Sequence, residues 1–109
     1  MALFNKKEKK QRLELLKRNV SVCKETLKEI NELYDDLKSE YEVIENTSTA
    51  FAEFAASIES TLTPEQAKQM DYFVAKFYRF DKYAGTAVRD VRDLMRNQKK
   101  RVKEAQAEL

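Results

Sequence analysis

The chain has 109 residues, of which 37% are charged and 42% hydrophobic, with one glycine, one proline and a net charge of +2. That is the composition of long helices in one domain at most, not of sheets joined by turns. It has no histidine, a single cysteine and no glycine-rich loop, which argues against zinc clusters, an internal disulfide, a phosphate cradle and histidine-based acid–base catalysis. No catalytic activity, cofactor, metal or small-molecule substrate is therefore expected.

No apolar run approaches the roughly 20 residues that span a bilayer. The opening MALFNKKEKK places its apolar residues before its basic ones and has no long apolar core, so it does not read as a secretory signal. With a lone cysteine, which suits a reducing compartment, the expected location is the cytoplasm.

The first predicted helix starts at Asn5, which caps three residues ahead of Glu8. With Leu13 as position a of a heptad, the a series reads Leu13, Val20, Leu27, Tyr34, Tyr41, Ser48, Ala55 and Leu62. The d series reads Leu16, Cys23, Ile30, Leu37, Ile44, Phe51 and Ile58. Only Ser48 interrupts the apolar run, and a repeat of 3.5 residues is that of a coiled coil. Cys23 reads as a small, inert core residue. The segment 46-NTSTAFAEFAASIEST-61 is rich in Ser, Thr and Ala, and Asn46 to Thr49 could end one helix and cap another. Because the register passes through it, one helix over about 5–60 is preferred, with a bend or break near 46–49 as the alternative.

A turn is expected at about 61–63. In 62-LTPEQA-67, Thr63 is an N-cap, Pro64 takes the first helical position and Gln66 can reach back to the cap. The second helix is predicted over 64–107. Its seam is expected at Met70, Phe77, Ala84, Val91, Gln98 and Ala105, together with Phe73, Phe80, Ala87, Leu94, Arg101 and Glu108. Beside it run Val74, Val88, Met95, Val102 and Leu109, read as a stripe drifting sideways.

Two long helices joined by a short link make an all-α, coiled-coil-like antiparallel hairpin, a single domain over residues 1–109. Folding at 61–63 pairs Phe51 with Phe73, Ile44 with Phe80, Tyr41 with Ala84 beside Gly85, and Ile30 with Leu94. About ten N-terminal residues should project past the partner helix. Leu15, Val22, Val43 and Ala50 at c positions, with Leu33 and Phe54 at g, widen the first helix's apolar face beyond one seam. One two-helix seam is little core for a chain this size. Completion to a four-helix bundle, by dimerisation or by a different helical protein, is expected.

The small net charge hides an asymmetry. Residues 1–18 carry +5, residues 19–63 carry −7 and residues 64–109 carry +4. In a hairpin, Lys6, Lys7, Lys9, Lys10 and Arg12 would gather with Arg96, Lys99, Lys100, Arg101 and Lys103. Such an end could dock on nucleic acid or an anionic membrane, with Leu3 and Phe4 inserting. The preferred reading is that these charges are solvated, with residues near 89–103 paired across the hairpin to acids near 25–36.

The segment 70-MDYFVAKFYRFDKYAG-85 holds six of the chain's eleven aromatic rings. Phe73, Phe77 and Phe80 are expected in the core. Tyr72 and Tyr83 lie on one shoulder of the stripe and Tyr78 nearly outward, so these tyrosines join Leu33, Val43 and Phe54 as interface candidates. A stacking platform for single-stranded nucleic acid would need those rings exposed. Asp81 falls inside the apolar stripe. A polar core contact is expected from it to a hydroxyl of Tyr41, Thr47 or Ser48, fixing register and partner choice.

The leading functional expectation is a non-enzymatic protein–protein interaction module, whether adaptor, chaperone-like or structural. The alternatives are an anionic-surface binder and a small helical secretion substrate or targeting partner. In size and shape the chain is similar to the helical-hairpin substrates of type VII secretion, and Phe77-x-x-x-Asp81 has the aromatic-x-x-x-acid form of their export signals. It departs from that group in lying mid-helix and in a turn that reads Ser60-Thr61-Leu62-Thr63-Pro64 where a Trp-x-Gly turn would stand.

Overall fold

The computed structural model describes residues 5–109. Two helices, α1 (Lys6–Ile58) and α2 (Pro64–Ala107), form a hairpin, linked through a single 3-10 turn at Glu59–Thr61. Both caps form. The backbone N–H of Glu8 donates to Asn5 Oδ1 at 2.8 Å. At α2 the bonds are reciprocal: the Gln66 N–H donates to Thr63 Oγ1 at 3.2 Å, and the Thr63 N–H donates to Gln66 Oε1 at 3.0 Å. Two otherwise orphaned amides are satisfied where Pro64 has none to offer. α1 is helical throughout 46–49. Thr49 Oγ1 donates back to the Glu45 carbonyl at 3.1 Å, so its hydroxyl joins the helix instead of capping a new one.

The contacts divide the chain into two compact units. One comprises the stretch up to Tyr34 with Val91–Leu109, and the other Asp35–Asp90. In the first, Gln98 is buried and its Nε2 donates to the Cys23 carbonyl at 3.0 Å. Val20, Val102 and Ala105 supply its most buried apolar surface. In the second, Ala55 and Ser48 are the most buried residues. Ser48 Oγ donates to the Phe77 carbonyl at 3.3 Å, and the Phe51 and Phe77 rings meet at 4.8 Å between centroids. Tyr41 lies over Gly85, where a Cβ would stand only 3.1 Å from the Tyr41 Oη. The missing side chain at Gly85 is what admits the ring.

Along α1 the residues that turn inward follow the expected a and d positions from Leu16 to Ile58, with Leu13 exposed. Along α2 they do at Met70, Ala84, Val91, Gln98 and Ala105, but not at Phe73, Phe77, Phe80, Ala87, Leu94, Arg101 and Glu108. The inward positions there are Ala67, Met70, Val74, Asp81, Ala84, Gly85, Val88, Val91, Arg92, Met95, Gln98, Val102 and Ala105. Phe73, Phe77 and Phe80, expected in the core, are instead 50%, 38% and 60% exposed. Leu94 and Arg101 are exposed as well. The physical reason is a competition between two adjacent stripes one residue apart. The series at 74, 81, 88, 95, 102 and 109 has five apolar members out of six, whereas that at 73, 80, 87, 94, 101 and 108 has four and would bury Arg101 and Glu108. A heptad seam built on the Val74, Val88, Met95 and Val102 row turns Phe73 and Phe80 out, while Phe77, in the Met70 row, keeps its contact with Phe51. The sideways stripe is the second row of the seam, beside the expected row from Met70 to Ala105.

Candidate interaction surface

The displaced phenylalanines make a continuous apolar surface on the unit Asp35–Asp90. Phe73, Phe77 and Phe80 line one shallow groove with Lys76. Phe77 and Phe80 also line the next groove, with Val43, Ile44 and Thr47 of α1. Tyr72 stacks edge-on against Phe73, with centroids 5.8 Å apart, and extends the surface toward Lys68 and Gln69. The two helices contribute together because g and c positions of α1 lie on the same flank of the hairpin as the Phe73–Phe80 stripe of α2. Outside the grooves the tyrosines carry cations: Lys76 Nζ sits 5.2 Å from the Tyr72 ring centre, and the Arg79 guanidinium 5.6 Å from that of Tyr83.

All six interface candidates, Leu33, Val43, Phe54, Tyr72, Tyr78 and Tyr83, are exposed. Of these, Val43 and Tyr72 line the grooves. Phe80, the most exposed of the three phenylalanines, is the residue that sequence reasoning assigned elsewhere. The signal that could have found it was the arginine at 101: a stripe that ends on Arg101 and Glu108 is a poor seam, so its upstream members belong outside.

The polar contact expected at Asp81 does not form. Ser48 gives its hydroxyl proton to the Phe77 carbonyl, Thr47 faces solvent at the groove, and Asp81 Oδ1 is buried with no hydrogen-bond partner. Ser48 prefers the carbonyl because the close Ser48–Phe77 approach puts one directly opposite it. Asp81 still acts on Tyr41 through space. The Tyr41 hydroxyl is held above its ordinary value of 10.0, chiefly by loss of water around it, then by the negative charges of Asp81 and Glu45, with Arg89 pulling the other way. Arg92 is the matching oddity in the other unit: its Nε is buried without a partner.

Lys6, Lys7, Lys9, Lys10, Arg12, Arg96, Lys99, Lys100, Arg101 and Lys103 are all exposed. At the register set by Gln98 on Cys23, residue 12 is level with residue 109, and the four preceding lysines run past it. Arg101 lines a groove with Asn19, Cys23, Glu104 and Glu108, so acids are interleaved with the cations of α2 there. Leu3 and Phe4, named for membrane insertion, lie outside the described residues. Among the described residues no helix is long and apolar enough to cross a membrane, and no group of three or more acidic or cysteine side chains could hold a metal ion. Cys23 is half-buried, its thiol 3.7 Å from Asn19 Oδ1.

Comparison with protein-family models, with curated proteins and with solved structures returns no match.

Proposed function

We propose that this chain is a non-enzymatic interaction module that binds protein helices through the aromatic face of its Asp35–Asp90 unit, completing a four-helix bundle there. The observation that supports this reading is the exposure of Phe73 and Phe80 on a surface continuous with Val43 and Ile44. Phe73, Phe80 and Val43 are each at least half exposed, and apolar area held in water costs about 25 cal/mol for each Å². Contiguous patches of this kind are what protein interfaces cover. Helix grooves of this form take an amphipathic helix with anchors spaced three and four residues apart.

The reading is tested with a photo-cross-linking amino acid at Phe80 and, as a control, at Glu42 on the opposite side of α1, in the cells that make the protein. Adducts to protein form at residue 80 and not at residue 42. No protein adduct at residue 80 would refute it.

A further inference from the structure

We infer that the unit formed by the residues up to Tyr34 and Val91–Leu109 binds the phosphate backbone of double-stranded DNA along one flank of its seam. Two observations carry it: the cations of this unit are sorted to that flank, and no acid neutralises them. On a helix, the residue just after an inward one and the residue just before it lie on opposite sides of the seam. In α1 the seam residues Leu16, Cys23 and Leu27 are followed by Lys17, Lys24 and Lys28. In α2 Val91, Met95, Gln98 and Val102 are followed by Arg92, Arg96, Lys99 and Lys103. The other seam residues over these spans, Val20, Ile30 and Ala105, are followed by Ser21, Asn31 and Gln106, so no acid stands directly after the seam. Glu25 and Glu32 lie on the outer side of α1. The positions just before the seam hold one cation, Arg101, and the apolar Leu15, Val22 and Leu94 are exposed there.

The two cation rows share one flank. Asn19, just before Val20, lines a groove with Arg101 and Glu104, just before Val102 and Ala105. That groove sets the leading positions of both helices on one side, and so the cation rows of both on the other. At the register given by Gln98 on Cys23, Lys17 stands within a residue of the height of Lys103, and Lys28 within a residue of that of Arg92. The rows therefore run side by side, each about 16 Å long. Among the described residues no ion pair joins any of the seven to an acidic side chain, and Arg92 keeps its Nε buried without a partner. Cross-hairpin pairing does not neutralise them. A row of uncompensated like charges attracts a polyanion, and a B-form duplex carries about nine phosphates over 16 Å. The flank has no ring on which the bases of a single strand could stack, and no apolar side chain to enter a bilayer. RNA duplexes are recognised through their 2′-hydroxyls across the minor groove, a task for neutral hydrogen-bonding groups, here Ser21, Asn31 and Gln106 alone. Cations suit the backbone of DNA, held without reading its sequence.

Fluorescence anisotropy of a labelled mixed-sequence DNA duplex, titrated with the full chain at several salt concentrations, tests this. Affinity should not depend on sequence, and its logarithm should fall linearly with the logarithm of the salt concentration. Arg96→Gln with Lys99→Gln should weaken binding about tenfold and reduce that slope by about 2. Arg79→Gln with Arg101→Gln removes the same charge from α2 away from the flank, and at about 0.1 M salt should leave affinity within about twofold. All four side chains are exposed, so both variants should fold. Equal weakening by the two pairs would mean that net charge alone is sensed, and would overturn the site. The absence of duplex binding at low salt would overturn the inference. So would tighter binding to phosphatidylserine vesicles, or to an RNA duplex of the same sequence, than to the DNA. None of these results bears on the aromatic face, which belongs to the Asp35–Asp90 unit.

Discussion

Asp81 is an acid in an apolar seam, with one carboxylate oxygen buried and unpartnered. Such a group costs about 1–3 kcal/mol. Asp81→Leu should therefore raise the unfolding free energy by at least about 1 kcal/mol, read by urea titration; a loss of stability would mean the carboxylate has a partner after all. Tyr41 and Gly85 form the second residue-scale feature. Gly85→Ala gains about 1 kcal/mol of helix propensity but drives a methyl to 3.1 Å from the Tyr41 Oη, a crowding that costs about as much or more. In a Tyr41→Ala background the gain should stand alone, giving a coupling of about 1 kcal/mol in the double-mutant cycle. Equal effects of Gly85→Ala in both backgrounds would contradict the contact. Tyr41 also sets a pH dependence. Its folded value lies above 10.0, so the folded state favours the neutral phenol. That contribution is complete below pH 10 and is lost as pH rises through the folded value. Tyr41→Phe should remove this alkaline decline relative to the parent.

At the scale of the elements, both helices, the Thr63–Gln66 box and the α1 seam were legible in the sequence, because capping and a long heptad repeat are local and redundant signals. Of the α2 seam, the row from Met70 to Ala105 was legible apart from Phe77, and the row beside it was not. Val74 and Phe73 are neighbours, both apolar, and a periodicity cannot choose between adjacent stripes by hydrophobicity alone. What decides is the cost of burying Arg101 and Glu108 some thirty residues away, transmitted by the stiffness of the helix. Ser48 and Asp81 show the same limit at the site: both were recognisable as polar breaks in the seams, but which acceptor each meets depends on a few tenths of a turn. The register has a direct consequence. Val102→Ala should cost about 1.5 kcal/mol, two buried methyl groups at ~0.8 each, whereas Arg101→Ala should stay within about 0.5 kcal/mol. The reverse ranking in thermal melts would return Phe73 and Phe80 to the core.

For the molecule as a whole, the central claim is that the aromatic face of the Asp35–Asp90 unit is a protein-binding surface. Thr47 lines this face without being one of its large anchors, so a thiol there reports coverage with little disturbance. In chains carrying Cys23→Ser, the maleimide-labelling rate at Thr47→Cys should be measured in buffer and in an extract of the cells that make the protein, beside Glu42→Cys on the far side. The rate at residue 47, relative to that at residue 42, should fall in the extract. An unchanged ratio of the two rates would contradict the account.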